Sequence, residues 1–173
     1  GANVVLRGLG ECRFEPATER LGIDGGDDWT TAFSATWEGD NSLPTLAFGT
    51  YLEDDWTTCG DSSLVRPDGD TYGPPFALTP GYCTLSMLFS EQLGAMPPGE
   101  DPSLYTDADG WQPVQVWGMG LASQDLTGDG RPEVFITSQG DNKLQTLDDG
   151  ATGPSYRDIA LRAGATAQRP YTG

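Results

Sequence analysis

No stretch of this chain keeps its apolar residues in step with a helix for more than two turns. The nearest, FEPATERL, would put Phe14, Ala17 and Leu21 on one face and then stops. Punctuation breaks the period: 24 glycines and 13 prolines stand among 173 residues. In a helix interior glycine costs about 1 kcal/mol and proline about 3 kcal/mol, so this density excludes a helical bundle. Between the breakers lie short apolar runs: residues 45–51 (TLAFGTY), 84–89 (TLSMLF), 114–117 (VQVW) and 134–137 (VFIT). Each is bounded by Gly, Pro, Asp or Asn, the pattern of many short antiparallel strands. Aromatic residues make up 10% of the chain, more than an acidic disordered tail carries. The expected class is all-β, acidic and rich in turns, forming one domain or a piece of a larger repetitive one.

Charge and missing residue types narrow the function. There are 26 acidic residues against 9 basic ones, a net charge of −17. Such a surface repels phosphate, which argues against nucleic acid and an anionic membrane surface as partners. No apolar run approaches the roughly 20 residues of a membrane helix, so no membrane insertion is expected. The absence of histidine excludes a Ser-His-Asp triad, a Cys-His pair and His-ligated zinc or haem. Cys12, Cys59 and Cys83 show no C-x-x-C spacing, which disposes of zinc ribbons and thioredoxin-like sites. Cys59 and Cys83 either bridge a loop rich in Pro and Gly, as an oxidising compartment allows, or stand as small unpaired hydrophobes. Cys12 is left over and free to pair outside the chain. The opening GANVVLRGLGECRF has no basic-then-apolar leader, so a signal peptide is expected to be already removed or never part of this segment.

The sequence also echoes itself. SATWEGDNSLPTLAFG, from Ser34, overlays ASQDLTGDGRPEVFIT, from Ala122, with Pro44 on Pro132, Leu46 on Val134 and Phe48 on Ile136. A second echo sets LYTDADG, from Leu104, over LQTLDDG, from Leu144, with Leu64 to Gly69 as a looser copy; Tyr72, Trp111 and Tyr156 follow. Recurrent strand–loop–strand–turn units are the mark of propeller blades or β-solenoids. The units fall at residues 12–66, 67–106 (incomplete) and 107–173, about three against the 4–8 blades of a closed propeller. The middle unit is short: either a loop and a strand are missing between Ser90 and Glu91, or this blade has diverged.

One motif carries chemistry: Asp125-Leu-Thr127-Gly-Asp129-Gly-Arg131-Pro-Glu133. Oxygen-bearing side chains stand at positions 1, 3, 5 and 9, Gly130 permits the tight turn, and the Arg131 carbonyl can supply position 7. Hard oxygens on one short loop suit Ca²⁺, which takes 6–8 of them in flexible geometry. Position 12, where an EF-hand needs a bidentate acid, is Ile136, and the chain continues as a strand. The loop is therefore not an EF-hand. The same residues also make a good metal-free β-turn, although three carboxylates converging on one turn would repel without a cation. The earlier copy has Trp37, Gly39, Asn41 and Thr45 at the ligand positions and is expected to be metal-free, with Glu38 and Asp40 as solvated loop acids.

The D-x-T-G-D-G-x-P-E-V-F-I-T loop resembles the calcium loop of FG-GAP/VCBS-type β-propeller repeats. The wider frame, including WGMGLASQDLTGDGRPEVFITSQGDNKLQ and IALRAGATAQRP, is similar to secreted proteins of the cartilage acidic protein (ASPIC/UnbV-associated) group. The resemblance implies a non-enzymatic, secreted or cell-surface propeller of about seven blades, with about three here. It further implies structural Ca²⁺ and a role in adhesion, protein–protein contact or extracellular assembly, with an extracellular protein or glycan as partner or with self-assembly. Carried over by position, the ligands are Asp125, Thr127, Asp129, Arg131 through its carbonyl, and Glu133. Thr127 departs from the usual Asp or Asn, which should weaken binding.

Two other classes stay open: a carbohydrate-active propeller enzyme using paired carboxylates, and a structural subunit of an extracellular filament or surface layer. Asp27-Asp28-Trp29 and Glu53-Asp54-Asp55-Trp56 pair acids with an aromatic. A sugar platform is one reading of them; a solvated loop with its Trp tucked onto the sheet is the other. Asp107-Ala-Asp109 and Asp68-Gly69-Asp70 read as turns, and Trp117 as a packing residue.

Overall fold

The computed structural model describes residues 2–24, 26–79, 81, 83–89, 118–150 and 153–166. The 114–117 run, the Ser90–Glu91 junction, the Asp107–Asp109 turn and the echo from Leu104 to Trp111 lie outside these residues, as does Trp117. The chain divides into two compact units, Gly1–Met87 and Leu88–Gly173. Both are built of antiparallel β-sheet, so the protein is all-β.

The first unit runs β1 (Leu6–Gly10), β2 (Arg13–Pro16), α1 (Thr18–Leu21), β3 (Trp29–Thr36), β4 (Thr45–Leu52), β5 (Ser62–Val65), β6 (Pro67–Asp68), β7 (Thr71–Tyr72) and β8 (Phe76–Thr79). Its main sheet has the order β3-β4-β5-β8, while β1-β2 and β6-β7 are separate hairpins. β8 carries this sheet past residue 66, where the sequence echo would end a unit. The central strand β4 buries Thr45, Leu46, Ala47 and Thr50, on both faces, as its near-continuous apolar run leads one to expect. Leu46 joins Ala17, Leu21, Ile23, Val65 and Tyr72 in the core, with Val5, Leu43 and Phe48 packed against it. The buried Tyr72 hydroxyl donates to the Pro44 carbonyl at 2.9 Å, which ties the β6–β7 hairpin to the start of β4.

The second unit has one described sheet, in the order β12-β11-β10-β9: β9 (Gly118–Gln124), β10 (Glu133–Ser138), β11 (Lys143–Gly150) and β12 (Gly153–Asp158), then α2 (Ala160–Ala163). Among its described residues Val134, Ile136, Leu144, Leu147, Tyr156 and Ala160 are the buried apolar ones. Among the described residues no helix is long and apolar enough to cross a membrane.

Two local expectations fail for identifiable reasons. FEPATERL does not form one amphipathic face. Pro16 closes β2, Phe14 lies exposed on that strand, and the helix is the single turn Thr18–Leu21. Gly22, with φ +71°, ends it in the left-handed conformation open to glycine. Residues 84–89 do not form a strand either. Thr84 instead docks on the main sheet, its N–H donating to Thr50 O at 3.0 Å and its carbonyl accepting from Thr31 Oγ1 at 2.6 Å. Gly49 makes room for it: a Cβ there would come within 2.7 Å of both Ala32 Cβ and Thr84 Cγ2. Next to Thr84, Cys83 forms a disulfide with Cys59, Cα to Cα 4.5 Å, and so fastens this segment to the β4–β5 connection. Cys12 is a free, exposed thiol at the β1–β2 turn.

Candidate functional site

β9 and β10 enclose the acidic loop. Their ladder closes at Gln124↔Glu133, so residues 125–132 leave and re-enter the sheet at neighbouring positions. The β3–β4 hairpin closes its loop, residues 37–44, at Thr36↔Thr45. Further pairs coincide under the same overlay: Ala35↔Leu46 with Ser123↔Val134, and Phe33↔Phe48 with Leu121↔Ile136.

Within the acidic loop Gly128 and Gly130 adopt φ +78° and +84°. These left-handed turns aim successive N–H groups inward, a geometry that side-chain-bearing residues rarely adopt. Asp125 collects those donors. Its Oδ1 accepts from Gly128 N at 2.6 Å and Asp129 N at 3.2 Å, and its Oδ2 from Gly130 N at 2.9 Å. The Gly130 bond foremost, with the other loop amides, holds the Asp125 carboxyl below the usual carboxylate range. Asp129 Oδ1 accepts from Arg131 N at 2.9 Å.

Glu133 lies in a different setting, only 2% exposed. Its Oε2 accepts from Leu126 N at 2.7 Å and Thr127 N at 3.2 Å. Its Oε1 accepts from Thr127 Oγ1 at 3.2 Å and Thr146 Oγ1 at 2.8 Å. A buried carboxylate needs its lone pairs met, and four donors match its roughly four acceptor positions.

Thr127 and Glu133 are thus in direct contact, while Asp125 and Asp129 each bind loop amides. Among the described residues no three carboxylate or thiol groups converge as a metal cluster. The repulsion argued from three acids on one turn is relieved here by backbone N–H groups. In chemical type the set still fits a hard cation. Asp125 and Asp129 are exposed carboxylates with lone pairs to spare, and Thr127 and the Arg131 carbonyl add neutral oxygens. Glu133 could join them only by exchanging one of its four donors.

The β3–β4 loop is closed by an ion pair instead. Arg66 Nε lies 3.1 Å from Glu38 Oε2, and the Glu38 side chain is only 11% exposed. Glu38 is therefore a partly buried partner of Arg66 and not the solvated loop acid that its neighbours in sequence suggest. Asp68-Gly69-Asp70 forms the β6–β7 turn, as read.

A third feature gathers at the far end of β4. The Trp29 ring lies 5.1 Å from Trp56 and 5.7 Å from Tyr51, and both tryptophans are exposed, not tucked onto the sheet. Trp56 stands at φ +62° in a turn fixed by Asp55, whose Oδ1 accepts from Thr57 N and Thr58 N, both at 2.8 Å. The Thr58 hydroxyl first, and then these amides, push the Asp55 carboxyl far below its ordinary value.

Sequence reasoning missed Arg66 as a loop partner. The available signal was the Leu64-Val65-Arg66 triplet, which repeats Val5-Leu6-Arg7. Comparison with protein families, with curated proteins and with solved structures gives no match to this chain.

Proposed function

We propose that this chain is part of a non-enzymatic, extracellular β-propeller, in which Ca²⁺ held by the Asp125–Glu133 loop stabilises one blade. The single observation that carries this reading is the shared register of two loop-bearing hairpins, each within a four-stranded antiparallel sheet, of which only one has carboxylates at the ligand positions: Asp125, Asp129 and Glu133 stand where the other has Trp37, Asn41 and Thr45. Asp125, Thr127, Asp129 and the Arg131 carbonyl would hold the ion, and Glu133 would brace the loop beneath it. The disulfide supports an oxidising, extracellular setting. The ion's role is structural. Ligand binding to the folded state alone adds ~2.7 kcal/mol at 100 times Kd. With a neutral group at the third position the affinity falls on the order of 10⁻⁴–10⁻³ M, the range of extracellular modules.

The cluster of exposed Trp29 and Trp56 with half-buried Tyr51 favours one further element, an adhesion face that binds glycan by ring stacking. Rigid aromatic surface in water is costly to leave bare and suits a sugar's apolar face.

A thermal melt in millimolar calcium, and then in excess EDTA, tests the central reading. Calcium should raise the midpoint of the parent protein and leave Asp129→Ala unmoved. A parent midpoint that is indifferent to both reagents reduces the loop to a turn and removes the calcium role.

A further inference from the structure

Three described hairpins start at corresponding positions, two of them with nearly the same triplet. Val5-Leu6-Arg7 enters β1, Leu64-Val65-Arg66 ends β5 and leads to β6, and Leu144-Gln145-Thr146 lies in β11. The pairs Gly8↔Phe14, Pro67↔Tyr72 and Leu147↔Tyr156 then put an aromatic at the same cross-strand position in each. The first and third match further. Val5 O accepts from Ala17 N and Leu144 O from Ile159 N, each at 2.8 Å, and both hairpins lead into a one-turn helix ended by a left-handed glycine, Gly22 or Gly164.

Two of the three have a neighbouring strand on their other flank. β4 pairs with β5 through Leu46↔Val65, and β10 pairs with β11 through Val134↔Gln145. Leu6 occupies the same position in β1, and among the described residues no strand pairs with it there. Burial follows the pairing: Val65 is 6% exposed and Gln145 0%, but Leu6 is 54%. Val5 turns both its backbone groups to Ala17 and Thr18, its carbonyl accepting from Ala17 N at 2.8 Å and its N–H donating to Thr18 Oγ1 at 2.7 Å. Strand alternation therefore turns those of Val4 and Leu6 to the flank where no described strand pairs. Beside that edge runs a groove of about 590 Å³ whose lining includes Val5, Leu6, Leu21, Leu43 and Leu46.

The next residue in each triplet indicates what should fill the edge. Arg66 pairs with Glu38 from the adjoining hairpin, and Thr146 donates to Glu133 from the adjoining strand. At both covered edges this position meets an acid. Arg7, which also lines the groove, has a 3.7 Å contact with Glu15 of its own hairpin, both side chains being well exposed.

We propose that the β1 edge at Val4–Leu6 is a strand-acceptor site. It takes an antiparallel, acid-led apolar segment of the β10 type, Glu-Val-Phe-Ile-Thr, from a partner polypeptide. The acid meets Arg7, the next residue lies opposite Leu6, and the apolar side chains fill the groove. A second copy of this chain does not supply the segment, because its own β10 is paired on both sides. Backbone bonds along a sheet edge give affinity, and alternate side chains give specificity. The proposal does not depend on calcium.

The probe is a fluorescein-labelled peptide of residues 131–138, RPEVFITS, titrated into the full chain by anisotropy. Saturable binding is expected, with slowed hydrogen exchange at the Val4 and Leu6 amides. Leu6→Pro removes an edge donor and should weaken binding about fivefold. If that variant does not fold, a charge swap decides: Arg7→Glu should weaken the peptide, and a peptide carrying Glu133→Lys should restore the loss. The proposal is overturned by absence of saturable binding at millimolar peptide, or by binding that leaves the Val4 and Leu6 amides unprotected. It is equally overturned if the free chain dimerises with those amides protected, since the occupant is then a second copy.

Discussion

The β3–β4 and β9–β10 hairpins run in one register and close their loops by different chemistry. In the first, Glu38 leaves the loop to reach Arg66, while Thr45, at the first position of β4, is buried and uncharged. In the second, the corresponding position is Glu133, buried beneath the loop on four donors, while Asp125 gathers three amides above it. The ladder therefore sets the register without help from the loop acids. Those acids are free to differ, and a loop whose chemistry the sheet does not need is where function can settle.

The sharpest way to break the comparison is Glu133→Ala, which strands four donors inside the second hairpin. A loss of about 3–5 kcal/mol is expected in chemical denaturation without calcium. A loss under about 1 kcal/mol would mean that water replaces the carboxylate and that the loop is not anchored from below. Next comes reduction of the Cys59–Cys83 disulfide, which should cost the first unit roughly 3–4 kcal/mol by loop entropy. The Asp125 loop should keep its amide-exchange protection under dithiothreitol, and loss of protection there would mean that the two units do not unfold separately.

Removing the ion pair with Glu38→Gln should cost less, about 1 kcal/mol or below, because Arg66 keeps contact with water. Its effect should shrink in molar salt. Smallest is the response to acid. The Asp125 carboxyl is depressed in the folded chain, so its contribution is complete above the unfolded value of about 3.9 and is lost as pH falls through the folded one. Melts of Asp125→Asn below pH 4 should therefore be flatter than those of the parent. Asp55 titrates with the same sign in the first unit, which makes Asp55→Asn the matching control.

What could be read from the sequence was whatever depends on near neighbours. The 45–51 and 134–137 runs became β4 and β10 because apolar residues between Pro and Gly breakers suit a buried strand. The overlay of Ser34 on Ala122 placed both loops correctly because a hairpin's register is set by its own loop length. Partners distant in sequence stayed hidden. Residues 84–89 look like a strand, but Thr50, Thr31 and Cys59 claim their first residues, and no local pattern announces those partners. Glu38 looks solvated until Arg66 is brought beside it. Trp29 and Trp56 stand on separate acidic segments, and only the sheet shows that they meet.

The sheet order bears on how the molecule forms. In the second unit each described ladder joins strands adjacent in sequence, β9 to β10 to β11 to β12, and β3, β4 and β5 follow the same rule in the first. Hairpins close in about 1–10 μs, whereas a ribosome adds only ~5–20 residues per second. Each sheet can therefore assemble strand by strand as it emerges, with low contact order and little time spent as an exposed apolar ribbon. A chain this rich in short strands gains from that vectorial growth, because each new strand finds its neighbour already waiting.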